Sequence, residues 1–171
     1  MSVSITTRGA MASDAQAMCD VLNPIILDGS TTAHRTLFDA QRMRDTHIDA
    51  PLLVRTTVAL RGDQLMGFQL LEWTDPNYDG PEALPEGWAV IATFVRDGSQ
   101  GLGIGQHLWR ETLLAAKSAG VVSIDASIRT DNTPGLAYYS GLGFRDYSSI
   151  DGMVLSDGTK VDKTRKRFDI T

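Results

Sequence analysis

The sequence predicts an α/β (α+β) fold, with a mixed, mostly antiparallel sheet of six to seven strands flanked by about four helices. Three observations support this class. Apolar runs on both sides of Gly62–Asp63 are typical of two antiparallel strands joined by a tight turn. Residues 88–128 contain a buried strand, a glycine-rich turn, a helix and a further strand. Residues 151–170 resemble two strands joined at Asp157–Gly158.

The first part of the chain predicts one strand and two helices. Residues 3–10 alternate in the manner of a strand, and Ser13 has the sequence context of a capping box. We expect the first helix over residues 14–22, because Pro24 disfavours a helical conformation in the residue before it. A polar loop follows, and a second helix is predicted over residues 37–48.

Composition places the chain among folded globular proteins, with 42% hydrophobic and 22% charged residues. Its 171 residues predict a single domain, 1–171. The net charge of -5 gives no general attraction for a nucleic acid. Cys19 is the only cysteine, which suits a reducing compartment. No apolar run reaches the roughly 20 residues of a membrane span. We therefore expect a cytoplasmic protein that binds neither nucleic acid nor membrane.

The glycine-rich turn is the most distinctive segment, with Gly98, Gly101, Gly103 and Gly105 within eight positions. Apolar spacing predicts a helix that starts near Gly103 and ends at Gly120. N–H groups at a helix start lack internal partners and the dipole there is positive, so this turn can bind an anion. Glycines also let a phosphate approach the backbone closely. The segment is predicted to hold a pyrophosphate; alternatively, the glycines only shape a tight turn.

Spacing distinguishes between phosphate ligands. The Gly-Lys-Ser/Thr ending of a P-loop is absent after Gly103 and Gly105. A dinucleotide fingerprint starting at Gly101 would have Gln106 in place of its third glycine, although Asp125 lies at a suitable distance for a ribose partner. The remaining chain is also too short for the parallel sheet that such a cofactor spans. An NAD-dependent oxidoreductase is kept as an alternative.

Two blocks of the sequence resemble the GCN5-related N-acetyltransferase (GNAT) family. Residues 100–105, QGLGIG, match the family's acetyl-CoA loop at every fixed position. Asn132, Tyr139 and the "LGF" at 142–144 match the second family block. The order of strands and helices agrees over nearly the whole chain. The resemblance implies a single GNAT acetyltransferase domain, an acyltransferase activity, and a GNAT-like sheet whose fourth and fifth strands splay apart.

Two shorter segments, residues 22–33 and 86–90, resemble the phosphinothricin acetyltransferase-like branch of the family. Val90 stands where that branch has a glutamate on the central strand, and Asp97 stands where the family often has proline. The first departure leaves both the catalytic base and the acceptor open.

The resemblance implies acetyl-CoA as cosubstrate. Its pyrophosphate would bind the amides of the glycine loop, and its pantetheine arm would run along the splayed strand. Asn132 would bond the cofactor or nearby backbone, or would instead cap the following helix. The residues that the resemblance assigns to the cofactor are Thr93, Phe94, Val95, Gln100, Gly101, Leu102, Gly103, Ile104, Gly105, Asn132 and Tyr139.

Acetyl transfer to an amine requires a neutral nucleophile, a stabilised oxyanion and a proton for the departing thiolate. We expect the backbone N–H of Phe94 or Val95 to stabilise the oxyanion. Tyr139 is expected to protonate the thiolate, with a purely structural role as the alternative. Tyr138 lies about 100° away on the helix and is expected to pack.

The remaining site residues are less specified. Glu72 and Glu86 are candidate bases, although either suits a solvated surface charge. The basic residues of 160–168 alternate as in an edge strand with a solvated face. The acceptor is expected to be a small-molecule amine, such as an amino acid or an amino-acid-like compound. The candidates for its pocket, which equally suit packing at the core rim, are Thr31, Thr32, Trp73, Tyr78 and Trp88.

Two further expectations concern partners. His34, His47 and His107 show no metal-ligand spacing, so no metal is expected. An exposed edge strand would support a homodimer. A non-catalytic acyl-CoA-binding sensor or interaction module with the same fold is the principal alternative to an enzyme.

Overall fold

Seven strands and four helices account for most of residues 4–170, the part of the chain that the computed structural model describes. The strands are β1 (Ile5–Gly9), β2 (Leu53–Arg61), β3 (Gln64–Trp73), β4 (Trp88–Val95), β5 (Ser123–Arg129), β6 (Arg145–Val154) and β7 (Lys160–Asp169). The helices are α1 (Ala15–Asp28), α2 (Ala40–Met43), α3 (Ile104–Ala119) and α4 (Thr133–Leu142). None of the helices within 4–170 is long and apolar enough to cross a bilayer.

The strands form one sheet in the order β1-β2-β3-β4-β5-β7-β6. Every neighbouring pair is antiparallel except β4 and β5, which run parallel. These two strands pair only at Trp88, Ala89 and Val90, opposite residues 123–125, and then separate. The mixed, mostly antiparallel sheet with a splay between its fourth and fifth strands is therefore confirmed.

Alternate side chains of the central strands supply cores on both faces of the sheet, because successive residues of a strand point to opposite faces. Phe68 of β3 and Phe94 of β4 lie in the core that packs against α1. Leu71 and Ile91 belong to the core on the other face, with Trp109 of α3. Burial of each such side chain stabilises the fold by about 1.5–3 kcal/mol. The sheet is thereby fixed between α1 on one face and α3 with α4 on the other.

The predicted hairpins are present where the sequence placed them. Gly62 and Asp63 alone separate β2 from β3, and Gly62 has a φ of 61°. The two tail strands are β6 and β7, which flank the predicted turn at Asp157–Gly158, but β6 begins at Arg145, before the predicted segment 151–170. β1 confirms the strand predicted at 3–10, of which residue 3 lies outside the described part of the chain.

The first helix is longer than predicted, because α1 continues through Pro24 to Asp28. Proline within a helix costs about 3 kcal/mol. Leu22 and Ile26 on either side of Pro24 are both buried in the core, and this packing offsets the loss. The helix ends instead at Gly29, whose φ of 76° lies in the left-handed region.

The capping box predicted at Ser13 is wrong. Ser13 lies inside a short 3-10 turn, and the carboxylate of Asp14 accepts the N–H of Met11 at 2.7 Å. Arg8 donates to the same carboxylate at 2.7 and 2.9 Å. An ion pair from β1 thus anchors the start of α1, which is a contact between elements that local sequence does not show.

The second helix begins later than predicted. Asp39 accepts the N–H of Arg42 at 2.7 Å and caps α2, so the helix starts at Ala40 rather than at residue 37. A π-helical turn over Arg44–Ile48 follows and reaches the predicted end.

The sheet and α3 pack so closely at Gly67 of β3 that a larger side chain has no room there. A Cβ there would lie 2.8 Å from the carbonyl oxygen of Phe94 and 3.2 Å from Cγ2 of Ile104. We predict that Gly67→Ala lowers the free energy of unfolding by about 1–3 kcal/mol, because rigid backbone must move. Gly141→Ala is the control, since its Cβ meets nothing within 4 Å and alanine favours the helix. Urea unfolding of both variants measures the difference, and equal stability would contradict this account.

Candidate functional site

A cavity of about 930 Å³ lies where the glycine loop, the separated ends of β4 and β5, the loop after α1, and α4 meet. This size is within the usual range for small-molecule and cofactor sites. It brings together most of the residues predicted for the cofactor and two predicted for the acceptor. These are Thr31, Thr32, Thr93, Phe94, Val95, Gln100, Gly101, Gly103, Ile104, Gly105, Asn132 and Tyr139. Leu102 belongs to the same loop but is exposed and does not line the cavity.

The glycine loop presents free backbone donors to this cavity. Gly101 and Gly103 have φ values of 84° and 71°, a conformation that favours glycine, and Gly103 precedes the first residue of α3. Within residues 4–170, no hydrogen bond is donated by the N–H groups of Gln100, Gly101, Gly103, Ile104 or Gly105. Donors at the positive end of a 16-residue helix form a site for an anion.

The gap between β4 and β5 exposes further backbone groups. The N–H of Arg96 donates to the carbonyl of Met66 on β3 at 2.7 Å. Because donors alternate in direction along an antiparallel strand, the N–H of Phe94 also points toward β3. Those of Thr93 and Val95 consequently point into the gap, where β5 has separated from β4. Of the two predicted oxyanion donors, only Val95 has this direction.

A buried hydrogen-bond network joins the cavity's walls. The Gln69 side-chain amide donates to Thr93 Oγ1 at 2.8 Å and to the Tyr138 hydroxyl at 3.0 Å. Thr93 Oγ1 lies 2.8 Å from the Tyr139 hydroxyl. Tyr138, which was expected only to pack, donates to the carbonyl of Gly105 at 2.7 Å. Four elements of the fold are thus connected by hydroxyl and amide groups.

Both tyrosines of this network are held in the protonated form. Burial raises the pKa of Tyr138 to about 12. Burial raises the pKa of Tyr139 further, against the opposing effect of its hydrogen bond to Thr93. Each phenol is therefore neutral at physiological pH and retains a proton that it can donate.

Asn132 caps a helix and also holds a loop. Its Oδ1 accepts the N–H of Gly135 at 3.1 Å, and its Nδ2 lies 3.4 Å from the carbonyl of Thr31. The buried Arg129 donates to the carbonyl of Thr32 at 3.3 Å. These contacts favour the capping role for Asn132 and hold the loop after α1 at the edge of the cavity.

Several predicted residues lie elsewhere. The structure does not place Glu72, Glu86, Trp73, Tyr78 or Trp88 in the lining of the large cavity. Trp73, Trp88 and Glu72 lie at the end of the sheet where β4 still pairs with β5, away from the open part of the gap. Glu86 and Tyr78 are exposed on the loop before β4. Position at a strand end was a poor guide, because the sequence does not show at which end the strands separate.

A second cavity of about 220 Å³ adjoins the first, with Ile91 and Ser127 in both linings. Glu82, from the loop before β4, accepts from Ser127 Oγ at 2.8 Å and from Lys163 Nζ at 3.1 Å. Arg165 Nε lies 3.2 Å from the buried carboxylate of Asp125. This ionic cluster joins the loop to the sheet.

The expectation that residues 160–168 form an edge strand with a solvated face is wrong. Lys163 and Arg165 are buried, because β7 lies between β5 and β6 rather than at the edge of the sheet. The period-two alternation indicated a strand, but its neighbours come from distant parts of the chain.

Metal binding finds no support in the part of the chain described. Within residues 4–170, no three His, Cys, Asp or Glu side chains are grouped so that they could hold a metal ion.

Comparison with known protein families matches residues 17–144 to the Acetyltransferase (GNAT) family. The match covers well over half of the chain, and the chain belongs to this family. The resemblance drawn from residues 100–105, Asn132 and Tyr139 is therefore confirmed at the level of the family.

Individual relatives agree with this result. The chain is 32% identical over 111 residues to the mycothiol acetyltransferase of Nocardioides sp.. The matched segment covers 61% of this chain and 37% of that protein. The chain thus spans little more than a third of the length of this curated relative.

Solved structures match nearly the whole chain. The structure of yncA from Salmonella typhimurium, determined with its cofactor acetyl-CoA, has a TM-score of 0.80 at 18% identity, covering 98% of this chain and 95% of that one. A phosphinothricin acetyltransferase from Sinorhizobium meliloti in complex with acetyl-CoA also has a TM-score of 0.80 at 18% identity, covering 98% and 89%. At this identity the likeness is one of fold.

The ionic contact of Glu82 generates a pH prediction. Burial alone would raise its pKa, but Lys163 and the hydrogen bond from Ser127 together lower the pKa below its ordinary value of 4.5. The ionised carboxylate therefore stabilises the fold above that value, and this contribution is lost as the pH falls through the lowered pKa. We predict that Glu82→Gln reduces the free energy of unfolding at neutral pH by up to about 1 kcal/mol.

Urea unfolding at neutral pH and at about pH 3, below the ordinary carboxyl pKa, measures this effect. The difference between wild type and Glu82→Gln is expected to be smaller at the lower pH, because protonation of the carboxylate removes the ionic contact. Glu86→Gln, an exposed change in the same loop, is the control and should show no such difference. A Glu82→Gln deficit that is the same at both pH values would contradict the ionic explanation.

Proposed function

We propose that this chain is an acetyl-CoA-dependent N-acetyltransferase, formed as one domain over residues 1–171, which transfers the acetyl group directly to the amine of a small molecule. The observation that carries the proposal is the row of free N–H groups in the glycine loop, at one end of a cavity that continues into the gap between β4 and β5. Family membership supplies the class of chemistry.

The cofactor would be held mainly by backbone groups. Its pyrophosphate would accept hydrogen bonds from the N–H groups of residues 100–105 at the positive end of α3. Its pantetheine amides would pair with the exposed backbone of Thr93 and with the carbonyl of Val95, as an added strand does at an open sheet edge, which leaves the N–H of Val95 for the reacting carbonyl. Two of the structural neighbours are complexes with acetyl-CoA, which supports this arrangement.

In the proposed reaction, the neutral amine attacks the thioester carbonyl and forms a tetrahedral oxyanion. The N–H of Val95 points into the gap and is the donor that would stabilise this oxyanion. When the carbon–sulfur bond breaks, Tyr139 would donate its hydroxyl proton to the thiolate of coenzyme A. Thr93 Oγ1, at 2.8 Å from the Tyr139 hydroxyl, would orient that hydroxyl.

The finer expectations remain predictions. An amino acid or amino-acid-like acceptor, the phosphinothricin acetyltransferase-like branch, a cytoplasmic location and a homodimer have only the sequence arguments behind them. β6 is an edge strand with many exposed residues, and it is the strand that a dimer would cover. The NAD-dependent alternative is not proposed, because among the strands of residues 4–170 only β4 and β5 run parallel to each other.

Gly101 tests the anion site. Gly101 and Gly120 both have a φ near 80°, and a Cβ at either position meets nothing within 4 Å. Alanine at each therefore introduces a similar backbone strain of about 1–2 kcal/mol. We predict that Gly101→Ala weakens acetyl-CoA binding by about tenfold or more, because the loop geometry that directs its amides is lost. Gly120→Ala, at the opposite end of α3, is expected to retain the affinity. Isothermal titration measures both, and equal affinities would contradict the proposed pyrophosphate site.

Tyr139→Phe tests the proton donor. We predict that kcat falls by about 10²–10⁴-fold while acetyl-CoA affinity is retained, because only the proton for the thiolate is removed. The adjacent Tyr138→Phe removes the hydroxyl that donates to Gly105, so its main effect is expected on the KM for acetyl-CoA. A free-thiol assay with a panel of amines measures both. An unchanged kcat for Tyr139→Phe would remove its catalytic role, and binding without turnover of any amine would favour the sensor alternative.

A further inference from the structure

The proposed reaction lacks a group that removes the proton of the acceptor ammonium, and His34 is the candidate that the structure supplies. His34 lies in the loop between α1 and α2 and lines the large cavity. Its ring centroid is 5.2 Å from that of Phe38 and 6.1 Å from that of Phe94. The imidazole is therefore packed against β4 beside the gap.

His34 and Tyr139 approach the cavity from opposite faces of the sheet. Phe94 lies in the core between the sheet and α1, and the ring of His34 packs against the Phe94 ring on this face. Thr93 points to the other face, where its hydroxyl contacts Tyr139. One cavity is lined by both groups because β4 and β5 have separated between them. A thioester in this gap would have an imidazole on one side and a phenol on the other.

The ring of His34 is free to bind a ligand. His47 Nδ1 lies 2.7 Å from Thr46 Oγ1, and His107 Nδ1 lies 2.7 Å from the carbonyl of Gly103. Neither ring nitrogen of His34 has a hydrogen-bond partner in residues 4–170. Its backbone is nevertheless fixed, because its N–H donates to Thr32 Oγ1 at 3.2 Å.

The surroundings of His34 favour the neutral imidazole. Burial lowers its pKa, and Arg42 of α2 and Lys163 of β7 shift the pKa in the same direction. Among other titratable and charged groups, His47 has a pKa lowered to about 4, and Asp28 of α1 and Arg129 of β5 line the same cavity. At physiological pH the ring can accept a proton.

We propose that His34 is the general base that deprotonates the acceptor, an inference that rests on the proposed function. A ring nitrogen of His34 takes one proton from the ammonium, and the freed electron pair forms the carbon–nitrogen bond. The intermediate's nitrogen loses a second proton as the carbon–sulfur bond breaks. Tyr139 gives its hydroxyl proton to the thiolate and is reprotonated by this second proton from the nitrogen. His34 then releases the proton that it took from the ammonium to solvent. The products are the amide, the thiol and one proton.

The pH dependence of kcat/KM tests this role. In the wild type, kcat/KM is expected to rise with the deprotonation of His34, below pH 6.5, and then to level off. In His34→Gln the activity is expected to fall by about 100-fold near neutral pH. Its kcat/KM should then keep rising tenfold per pH unit up to the amine's own pKa, because only the free amine reacts. His107 lies outside the cavity lining. His107→Gln is therefore expected to keep the wild-type rise and levelling off of kcat/KM with pH.

Chemical rescue provides an independent measurement. Imidazole added to His34→Ala is expected to restore part of the activity in proportion to its free-base concentration, which a purely structural role would not allow. Two results would overturn the role of His34 while leaving the proposed function intact, provided that the wild type turns over an amine. In one, kcat/KM of His34→Gln levels off at the same pH as in the wild type. In the other, it is Glu72→Gln that no longer levels off. Failure of the wild type to turn over any amine would overturn the proposed function and this inference with it.

Discussion

The separation of β4 from β5 is the constraint on which the rest of the site depends. The two strands pair for three residues and then part, so that backbone groups of Thr93 and Val95 lie open in the middle of the sheet. Unpaired backbone groups are costly when buried unless a ligand or water satisfies them. The gap therefore leaves an open hydrogen-bonding edge inside the sheet, and it joins the two faces that would otherwise be separate.

The groups around this gap come from elements that are distant in the sequence. Gln69 of β3 connects Thr93 of β4 to Tyr138 of α4, and Tyr138 in turn contacts the start of α3. The side-chain carbonyl oxygen of the buried Gln69 has no partner within the described residues, so the network retains an unused acceptor beside the cavity. Such a network fixes the loop and both tyrosines relative to each other, which a reaction between positioned groups requires.

Local patterns predicted most of the fold and many of the residues that line the large cavity. The glycine spacing located the loop over residues 100–105, and the two-residue turn located the β2–β3 hairpin, because both depend on backbone geometry that only a few residue types allow. The end of α1 was mispredicted at Pro24, since packing of Leu22 and Ile26 outweighs a local preference. Of the residues predicted for the acceptor, Thr31 and Thr32 line the large cavity and Trp73, Tyr78 and Trp88 do not. Two other residues at or beside the cavity were not predicted for it: Gln69 has no local signal, and His34 was considered only as a metal ligand.

The sequence by itself determined the strands, the glycine loop and the family, because periodicity, turn chemistry and motif spacing are properties of neighbouring residues. Only the tertiary structure decided which end of β4 opens, which tyrosine contacts Thr93, and which side chains reach the cavity. It also buried Lys163 and Arg165 in an interior strand where the sequence indicated a solvated edge. The reason is physical: a pairing register and a shared cavity depend on contacts between residues far apart in the chain, and no local pattern encodes them.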